Sequence, residues 1–298
     1  MLFFEKARAG DIIVFMKKAA ILYDFDKTLC AKDMQEYSLI PSLGYTNPRD
    51  FWDEVTEIAN RNRMDGISAY LFVLREKFEE QNHPLTRKMF REIGSSIELY
   101  NGVETWFRRI NEHARKAGLY LEHYIISSGM AEIIESTSIA EQFARIYACR
   151  YHYDESGKAV WPAQIVNYTT KTQYIFRINK QVLDENDDYS LNVYMPHKDR
   201  PVPFERMIYI ADGLTDVPCM RLVKEYGGKS IAVYNKDSQR AFGIAKQLLE
   251  EGRANYMMPA DYEKGSDMEN LIMMIIDEMG IAAKLEEIEK NSRRKAGI

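Results

Sequence analysis

The sequence is poor in cysteine, has no long apolar run and carries no excess of basic residues. Its three cysteines, Cys30, Cys149 and Cys219, are widely spaced and form no CxxC pair, so we expect buried free thiols in a reducing compartment and neither a disulfide framework nor a zinc site. No apolar run approaches the ~18 residues needed to cross a bilayer, so no membrane partner is expected. The net charge of −5 disfavours a nucleic-acid partner, because no basic surplus is available to neutralise phosphates.

The amino-terminal segment also lacks the features of a targeting signal. Residues 1–15 contain Glu5, Lys6, Arg8 and Asp11, which interrupt any signal-peptide core. Met16 is followed by two lysines and then directly by an apolar run, as at many natural starts. We therefore expect translation to begin at Met16, with residues 1–15 an extension, and either start predicts a cytoplasmic protein. The sequence gives no indication of the oligomeric state.

Two acidic residues follow a short apolar run at the start of the chain. Residues 19–23 predict a buried strand, and Asp24 and Asp26 come directly after it. Alternate residues of an extended chain point to the same side, so both carboxylates are predicted to share a pocket at the carboxyl end of the strand, where open α/β sheets bind ligands. Such a pair repels unless a cation or a proton lies between the groups, which indicates a metal or catalytic site. The other interpretation is a solvated loop start.

Strand-like and helical patterns alternate beyond residue 100, which predicts an α/β fold with a Rossmann-like parallel sheet flanked by helices. A hairpin turn is predicted at 153–158, and the polar stretch 184–203 is predicted to be a long, weakly ordered loop. Residues 31–100, here called the helical insertion, predict an α-helical domain set into a core formed by residues 1–30 and 101–298. Its aromatic residues are expected to be core rather than a ligand platform: Phe51, Trp52, Tyr70 and Phe72.

Further polar residues come at the ends of other predicted elements. Ser127 and Ser128 stand between a strand ending at residue 126 and a helix, which predicts an anion site, although a plain helix cap has the same pattern. Lys171 falls in the first turn of a helix, where a cation opposes the macrodipole, so it is either a phosphate ligand or a surface lysine. Asp212 and Asp216 follow another buried strand. Carboxylates are ligands that Mg²⁺ prefers, and a lysine with a hydroxyl suits a phosphoryl group.

The ordered set Asp24-Phe-Asp26-Lys-Thr28, Ser127, Lys171 and Asp212-Gly-x-x-Asp216 resembles the four motifs of the haloacid dehalogenase superfamily. The resemblance extends from about residue 19 to 235. The helical insertion resembles the first-type cap of phosphoserine phosphatase-like members. Residues 236–298 carry no usable motif.

The resemblance implies a Mg²⁺-dependent phosphatase acting on a small phosphorylated metabolite. Asp24 would be the nucleophile that forms an aspartyl-phosphate, and Asp26 would be the general acid and base. Mg²⁺ would bind Asp24, the backbone carbonyl of Asp26 and Asp212, with Asp216 as a ligand or an anchor. The acid at position 26 favours ester hydrolysis over dehalogenation or phosphonate cleavage, because an alkoxide leaving group needs a proton.

The resemblance also implies that Ser127 and Lys171 hold the phosphoryl oxygens, with Ser128 as the rival hydroxyl and Lys180 as the rival lysine. Asp33 stands where serine-phosphate phosphatases carry an acid for the substrate's amine, although a capping or solvated carboxylate is the favoured interpretation of this residue. Two other functions remain open, namely a phosphotransferase or mutase with the same intermediate and a catalytically silent sensor of a phosphorylated ligand. Movement of the helical insertion is expected, with hinges near residues 30–33 and 98–102.

Overall fold

A computed structural model describes residues 16–298 of the chain. The expected extension, residues 1–15, lies outside the described residues. The described chain contains a seven-stranded sheet. Its strands, in chain order, are β1 (Lys17–Tyr23), β2 (Leu119–Met130), β3 (Arg145–Tyr153), β4 (Ala159–Gln164), β5 (Met207–Ala211), β6 (Lys229–Tyr234) and β7 (Tyr256–Pro259).

The sheet is ordered β4-β3-β2-β1-β5-β6-β7, and only the β3–β4 pair is antiparallel. Strand β1 lies at the centre and pairs with β2 along its whole length and with β5 from Ala20 to Tyr23. Both faces of β1 are covered, which explains its continuous apolar sequence. The predicted α/β class with a Rossmann-like sheet is confirmed. Because β1, β2 and β5 are parallel neighbours, their carboxyl ends meet at one edge.

Helices cover the sheet, and α1 to α4 make up most of the segment between β1 and α5. Their bounds are α1 (Leu39–Ser42), α2 (Pro48–Asn62), α3 (Gly66–Glu80), α4 (Arg87–Gly94), α5 (Val103–Ala117), α6 (Ala131–Ile134), α7 (Lys171–Lys180), α8 (Asp188–Asn192), α9 (Val217–Glu225), α10 (Gln239–Glu250) and α11 (Asp267–Lys295). Asn47, Asp65 and Thr86 cap α2, α3 and α4 by accepting hydrogen bonds from first-turn N–H groups. None of the helices within residues 16–298 is long and apolar enough to cross a membrane.

The helical insertion packs its own core and also touches the β3–β4 hairpin. Phe51 and Tyr70 are fully buried, as expected, but Phe72 is 40% exposed and Trp52 is only partly buried. The prediction of a core position is therefore wrong for Phe72, which lies on the outer side of α3. Three hydrogen bonds join the insertion to the hairpin: Tyr151 hydroxyl to Leu71 carbonyl (2.5 Å), Ala159 N–H to Leu85 carbonyl (2.9 Å) and Arg87 N–H to Gly157 carbonyl (3.3 Å).

Two predicted segments differ from the structure. Strand β2 does not end at residue 126 but continues to Met130, with an irregular register against β3, and the helix that follows has only four residues. The stretch 184–203 is not a loose loop, because the buried guanidinium of Arg177 donates hydrogen bonds to the carbonyls of Asp184, Glu185 and Asp187. A short helix, α8, forms within it.

Candidate active site

Three carboxylates meet at the carboxyl ends of β1 and β5. Asp24 directly follows β1, and its backbone N–H donates to the carbonyl of Ile210 on β5 (3.0 Å). Asp212 directly follows β5, and Asp216 ends the short 3₁₀ turn after it. One carboxylate oxygen from each of Asp24, Asp212 and Asp216 lies within 4.8 Å of the others. The parallel pairing of β1 with β5 therefore brings together acids that are 188 or more residues apart in the chain.

Lys171, the first residue of α7, is buried among these acids. Its Nζ donates to Asp216 Oδ1 (2.7 Å) and to Asp24 Oδ1 (3.1 Å). Asp216 also accepts hydrogen bonds from the Tyr209 hydroxyl (2.6 Å) and from Thr215 Oγ1 (2.8 Å), so this buried charge is fully hydrogen-bonded. The structure does not bring Lys180 to the cluster, because its Nζ donates to backbone carbonyls of the segment after α7.

The cluster is too negative for a single lysine to balance. Burial raises the pKa of Asp24 to about 6, since the lowering by Lys171 is partly cancelled by Asp216. Burial and the charges of Asp24 and Asp216 raise the pKa of Asp212 well above its usual value. Burial alone would lower the pKa of Lys171, but the same two acids raise it. Three hard oxygen donors with unbalanced negative charge fit a small divalent cation such as Mg²⁺.

Asp26 lies in the turn after β1, where Lys27 takes a left-handed conformation (φ 55°). Asp26 Oδ1 accepts a hydrogen bond from the Met34 N–H (2.7 Å). Burial raises the pKa of Asp26 well above its usual value, and the charges of Asp33 and Asp24 raise it further. A carboxyl group in this environment favours its protonated form and can donate a proton. Asp33 is not free, since its carboxylate forms an ion pair with Lys27.

The two predicted serine ligands occupy different environments. Ser127 is fully buried within β2, and its Oγ accepts a hydrogen bond from the Gly129 N–H (3.0 Å). Ser128 lines the cavity that contains Asp24 and Lys171. Its buried Oγ has no hydrogen-bond partner within residues 16–298, and neither has Oγ1 of the fully buried Thr28. The continued strand at Ser127–Gly129 therefore exposes Ser128, rather than Ser127, to the cavity.

The cavity has a volume of about 990 Å³ and lies between the sheet edge and the helical insertion. Asp24, Asp26, Lys171 and Asp212 form its floor. Sequence reasoning missed other lining residues, which come from the insertion and from α10: Gln35, Asn47, Arg49, Asp53, Ile67 and Arg240. Arg240 belongs to the closing segment, in which no motif was found, and no sequence signal could have placed it here.

Comparison with known proteins identifies the family to which the chain belongs. The model of the haloacid dehalogenase-like hydrolase family matches residues 21–221, which is more than half of the chain. The chain therefore belongs to the haloacid dehalogenase-like hydrolases. The match includes Asp24, Lys171, Asp212 and Asp216.

Individual relatives are distant. An uncharacterized protein of Borreliella burgdorferi is 26% identical, with 85% of this chain and 95% of that protein covered. A haloacid dehalogenase-family hydrolase from Salmonella enterica serovar Typhi superposes with a TM-score of 0.56 at 16% identity, covering 88% of this chain and 73% of that one. A substrate-bound phosphoserine phosphatase superposes with a TM-score of 0.53 at 17% identity, covering 86% and 97%. These likenesses establish a shared fold.

Proposed function

We propose that this hydrolase is a Mg²⁺-dependent phosphatase that hydrolyses a small phosphomonoester through an aspartyl-phosphate on Asp24. The observation that carries the proposal is the buried Lys171 ammonium, which binds Asp24 and Asp216 beside Asp212 on the floor of the cavity. The fold shared with a substrate-bound phosphoserine phosphatase supports a small phosphorylated substrate.

The reaction is proposed to take place in two steps. A carboxylate oxygen of Asp24 bonds to phosphorus, the ester P–O bond breaks, and the leaving oxygen takes the proton of the Asp26 carboxyl group. The Asp26 carboxylate then accepts a proton from water as the water oxygen bonds to phosphorus. The bond to Asp24 breaks, inorganic phosphate leaves, and both carboxyl groups return to their starting states. Asp26 suits this role because burial and its acidic neighbours raise its pKa.

The phosphoryl oxygens are proposed to be held by Lys171 and by the hydroxyl of Ser128. Ser128 is preferred to Ser127 because this residue lines the cavity and its buried Oγ has no partner among the described residues, whereas Ser127 Oγ is already bonded to Gly129 N–H. Thr28, close to the end of β1, has a second hydroxyl without a partner among residues 16–298, but it is not one of the residues that line the cavity. Removing the Ser128 hydroxyl is therefore expected to weaken phosphate binding more than removing that of Ser127.

Asp24, Asp212 and the backbone carbonyl of Asp26 are the proposed holders of Mg²⁺. When bound, the ion would offset the negative charge of the phosphoryl oxygens. Asp216 is better suited to anchoring Lys171, because its two carboxylate oxygens already accept hydrogen bonds from Lys171, Tyr209 and Thr215.

We further propose that the helical insertion, residues 31–100, acts as a cap domain over a core of residues 1–30 and 101–298. Residues of α2 and α3 face the sheet edge across the cavity, as expected for a cap that encloses the substrate.

The test is phosphate release from a panel of small phosphomonoesters with Mg²⁺, with a chelator, and with Asp24→Asn. Asp199→Asn, which changes an exposed carboxylate outside the cavity, is the matched control. Metal-dependent turnover that falls by about 10³-fold or more in Asp24→Asn alone would support the proposal. Turnover that survives Asp24→Asn would refute it, and product appearing on an added alcohol would indicate a phosphotransferase.

A further inference from the structure

Helix α11 presents a stripe of apolar side chains that the rest of residues 16–298 leaves uncovered. Met274, Ile281, Leu285 and Ile288 are each 60–62% exposed. At 3.6 residues a turn, their spacings of seven, four and three residues place them within about 60° of one another around the helix. Ile272 and the other buried residues of α11 lie on the opposite side, where the helix packs against α5. A soluble protein rarely exposes so continuous an apolar surface, which therefore indicates an interaction site.

The carboxyl-terminal part of α11 also extends beyond the core that supports the rest of the helix. Ala283 is the last buried residue of α11, and Glu286 still forms an ion pair with Arg206 of the core (3.1 Å). The helix continues to Lys295, although no residue from 287 to 298 is buried. Helical segments shorter than about 12–15 residues are only marginally stable in water without packing. This end of α11 therefore needs packing along its apolar side.

The stripe belongs to a seam of regular spacing along α11. Positions 278, 281, 285, 288, 292 and 295 are separated alternately by three and four residues, which is the a and d spacing along which helices pair in coiled coils. All six side chains are exposed. Apolar side chains fill the centre of the seam, a serine follows them, and the two ends are charged: Ile281, Leu285 and Ile288, then Ser292, with Glu278 and Lys295 at the ends. A matching helix must therefore be apolar at its centre and offer a cation to Glu278 and an anion to Lys295.

A second copy of α11 in the antiparallel direction meets these requirements in one register. When Leu285 faces the partner's Ile288, Glu278 faces the partner's Lys295, and symmetry makes each contact occur twice. A parallel copy would instead set Glu278 against the partner's Glu278 and Lys295 against the partner's Lys295. Like charges facing each other across an interface disfavour that arrangement. The charges at the ends of the seam therefore select the antiparallel copy.

The surroundings of α11 allow this pair to form. Because the core packs on the side of α11 opposite the stripe, the bodies of the two copies lie on opposite sides of the helix pair. The Glu278 side chain is 62% exposed, so it can bind the partner's Lys295 as well as Lys229 of its own chain (3.2 Å). An anionic membrane suits the stripe less well, because residues 277–295 contain five acidic and five basic residues and carry no net charge.

We propose that α11 forms an antiparallel two-stranded coiled coil with α11 of a second copy, centred between Leu285 and Ile288, and that the hydrolase is thereby a symmetric dimer. The seam spans fewer than three heptads, so the pair is expected to dissociate on dilution. The dimer does not depend on the phosphatase chemistry, because α11 contributes no residue to the cavity wall.

The first experiment is sedimentation velocity of the full-length protein over a dilution series. The wild type is expected to rise from the mass of one chain, 34.7 kDa, to twice that mass as the concentration increases. Leu285→Glu buries a charge at the centre of the seam and is expected to raise the dissociation constant by at least about 10-fold. Val193→Glu, the same kind of change at an exposed apolar residue outside α11, should leave it unchanged. Melting temperatures at a concentration where the wild type is monomeric show that the variants are folded.

An exchange of charges tests the direction of the pair. Glu278→Lys and Lys295→Glu are each expected to raise the dissociation constant about 5-fold, because each creates two like-charge contacts across the symmetric interface. The double variant restores opposite charges and should return the dissociation constant to that of the wild type. The two residues are about 25 Å apart along one helix, so they cannot compensate each other within a single chain. Glu287→Lys, on the same helix but outside the seam, is the matched control.

Three results would overturn the proposal. A wild type that remains monomeric at every concentration is one, and a dimer that Leu285→Glu leaves intact is another. Additive losses in the double charge variant would exclude antiparallel pairing. If a monomeric wild type binds phosphatidylglycerol vesicles and Leu285→Glu abolishes this binding, the stripe belongs to a lipid surface rather than to a second copy.

Discussion

At the scale of single residues, the ionised carboxylate of Asp212 is expected to destabilise the folded protein when no metal is bound. Burial and the charges of Asp24 and Asp216 raise its pKa, which means that its ionised form is disfavoured in the folded protein. The same carboxylate is a proposed ligand for Mg²⁺, whose binding would offset this cost. The acid is therefore retained for a role other than holding the fold together.

Asp212→Asn is accordingly expected to have opposite effects with and without metal. In chelator the melting temperature should equal or exceed that of the wild type, because an unfavourable charge is gone. In Mg²⁺ the wild type should gain melting temperature and the variant should gain little, as scanning calorimetry can measure. Asp199→Asn should behave like the wild type in both buffers. An equal Mg²⁺ gain in wild type and Asp212→Asn would exclude Asp212 as a ligand.

His123 gives a residue-scale prediction on pH. It is buried on β2 between the Tyr23 hydroxyl (3.1 Å from Nδ1) and Asn111 Oδ1 (3.2 Å from Nε2), and burial lowers its pKa to about 3. The unfolded chain binds the proton near pH 6.5, whereas the folded chain does not. Stability is thus intact above pH 6.5 and is lost as pH falls towards 3, by at most about 1.4 kcal/mol per pH unit from this group.

His123→Gln keeps an acceptor and a donor but does not titrate. Urea unfolding between pH 7 and 4 should show the free energy of unfolding declining less steeply in the variant than in the wild type, so that any deficit of the variant shrinks as pH falls. Parallel declines would show that His123 is already charged in the native protein.

At the scale of elements, the same glycine-to-alanine substitution is expected to have opposite effects on stability in two consecutive helices. Gly280 lies where α11 packs on the end of α5, and a Cβ there would lie 2.6 Å from the Ala117 carbonyl oxygen. Gly243 is exposed on α10, and a Cβ there meets no described atom within 4 Å.

Gly280→Ala is therefore expected to lower the free energy of unfolding by about 1–3 kcal/mol through overpacking. Gly243→Ala is expected to raise it by up to about 1 kcal/mol, because alanine restricts the unfolded chain and favours helix. Chemical denaturation measures the free energy of unfolding of both variants. An unchanged or raised free energy of unfolding in Gly280→Ala would contradict the close approach of α11 to α5, and destabilisation by Gly243→Ala would contradict the open surface at Gly243.

The elements also explain how far the sequence could predict the site. Asp24, Asp212 and Asp216 follow apolar runs that form β1 and β5, and parallel strands necessarily end at one edge, so these residues could be placed together. The choice between Ser127 and Ser128 could not be predicted, because it depends on β2 continuing with an irregular register. Side chains that reach the cavity from other elements, such as Gln35, carry no local periodic signal and are found only from the tertiary structure.

At the scale of the whole molecule, the expected hinges would allow the helical insertion to move, whereas its contacts with the β3–β4 hairpin would restrain that movement. The two connections to the core run side by side, with an antiparallel bridge between Cys30 and Leu99 and a hydrogen bond from Tyr100 N–H to the Leu29 carbonyl (2.9 Å). Adjacent connections suit a hinge. The three hydrogen bonds to the β3–β4 hairpin restrain the same motion. Opening is therefore expected to require the loss of these bonds.

Arg87 allows one of these bonds to be removed alone. Its N–H donates to the Gly157 carbonyl and its guanidinium stacks over the Tyr153 ring (4.6 Å to the centroid). Arg87 is the first residue of α4, where proline is well accepted, and Thr86 before it is already extended (φ −131°, ψ 154°), as a residue preceding proline must be. Arg87→Pro thus deletes the N–H and the guanidinium, while Arg87→Ala deletes only the guanidinium.

Amide hydrogen exchange compares the two variants. If the hairpin contacts restrain the insertion, α3 and α4 should exchange faster in Arg87→Pro than in Arg87→Ala, and β1 should exchange at the same rate in both, since sub-global opening leaves the sheet closed. Faster exchange throughout, β1 included, would indicate general destabilisation. Identical rates in α3 and α4 would mean that the hydrogen bond between Arg87 N–H and the Gly157 carbonyl does not restrain the insertion.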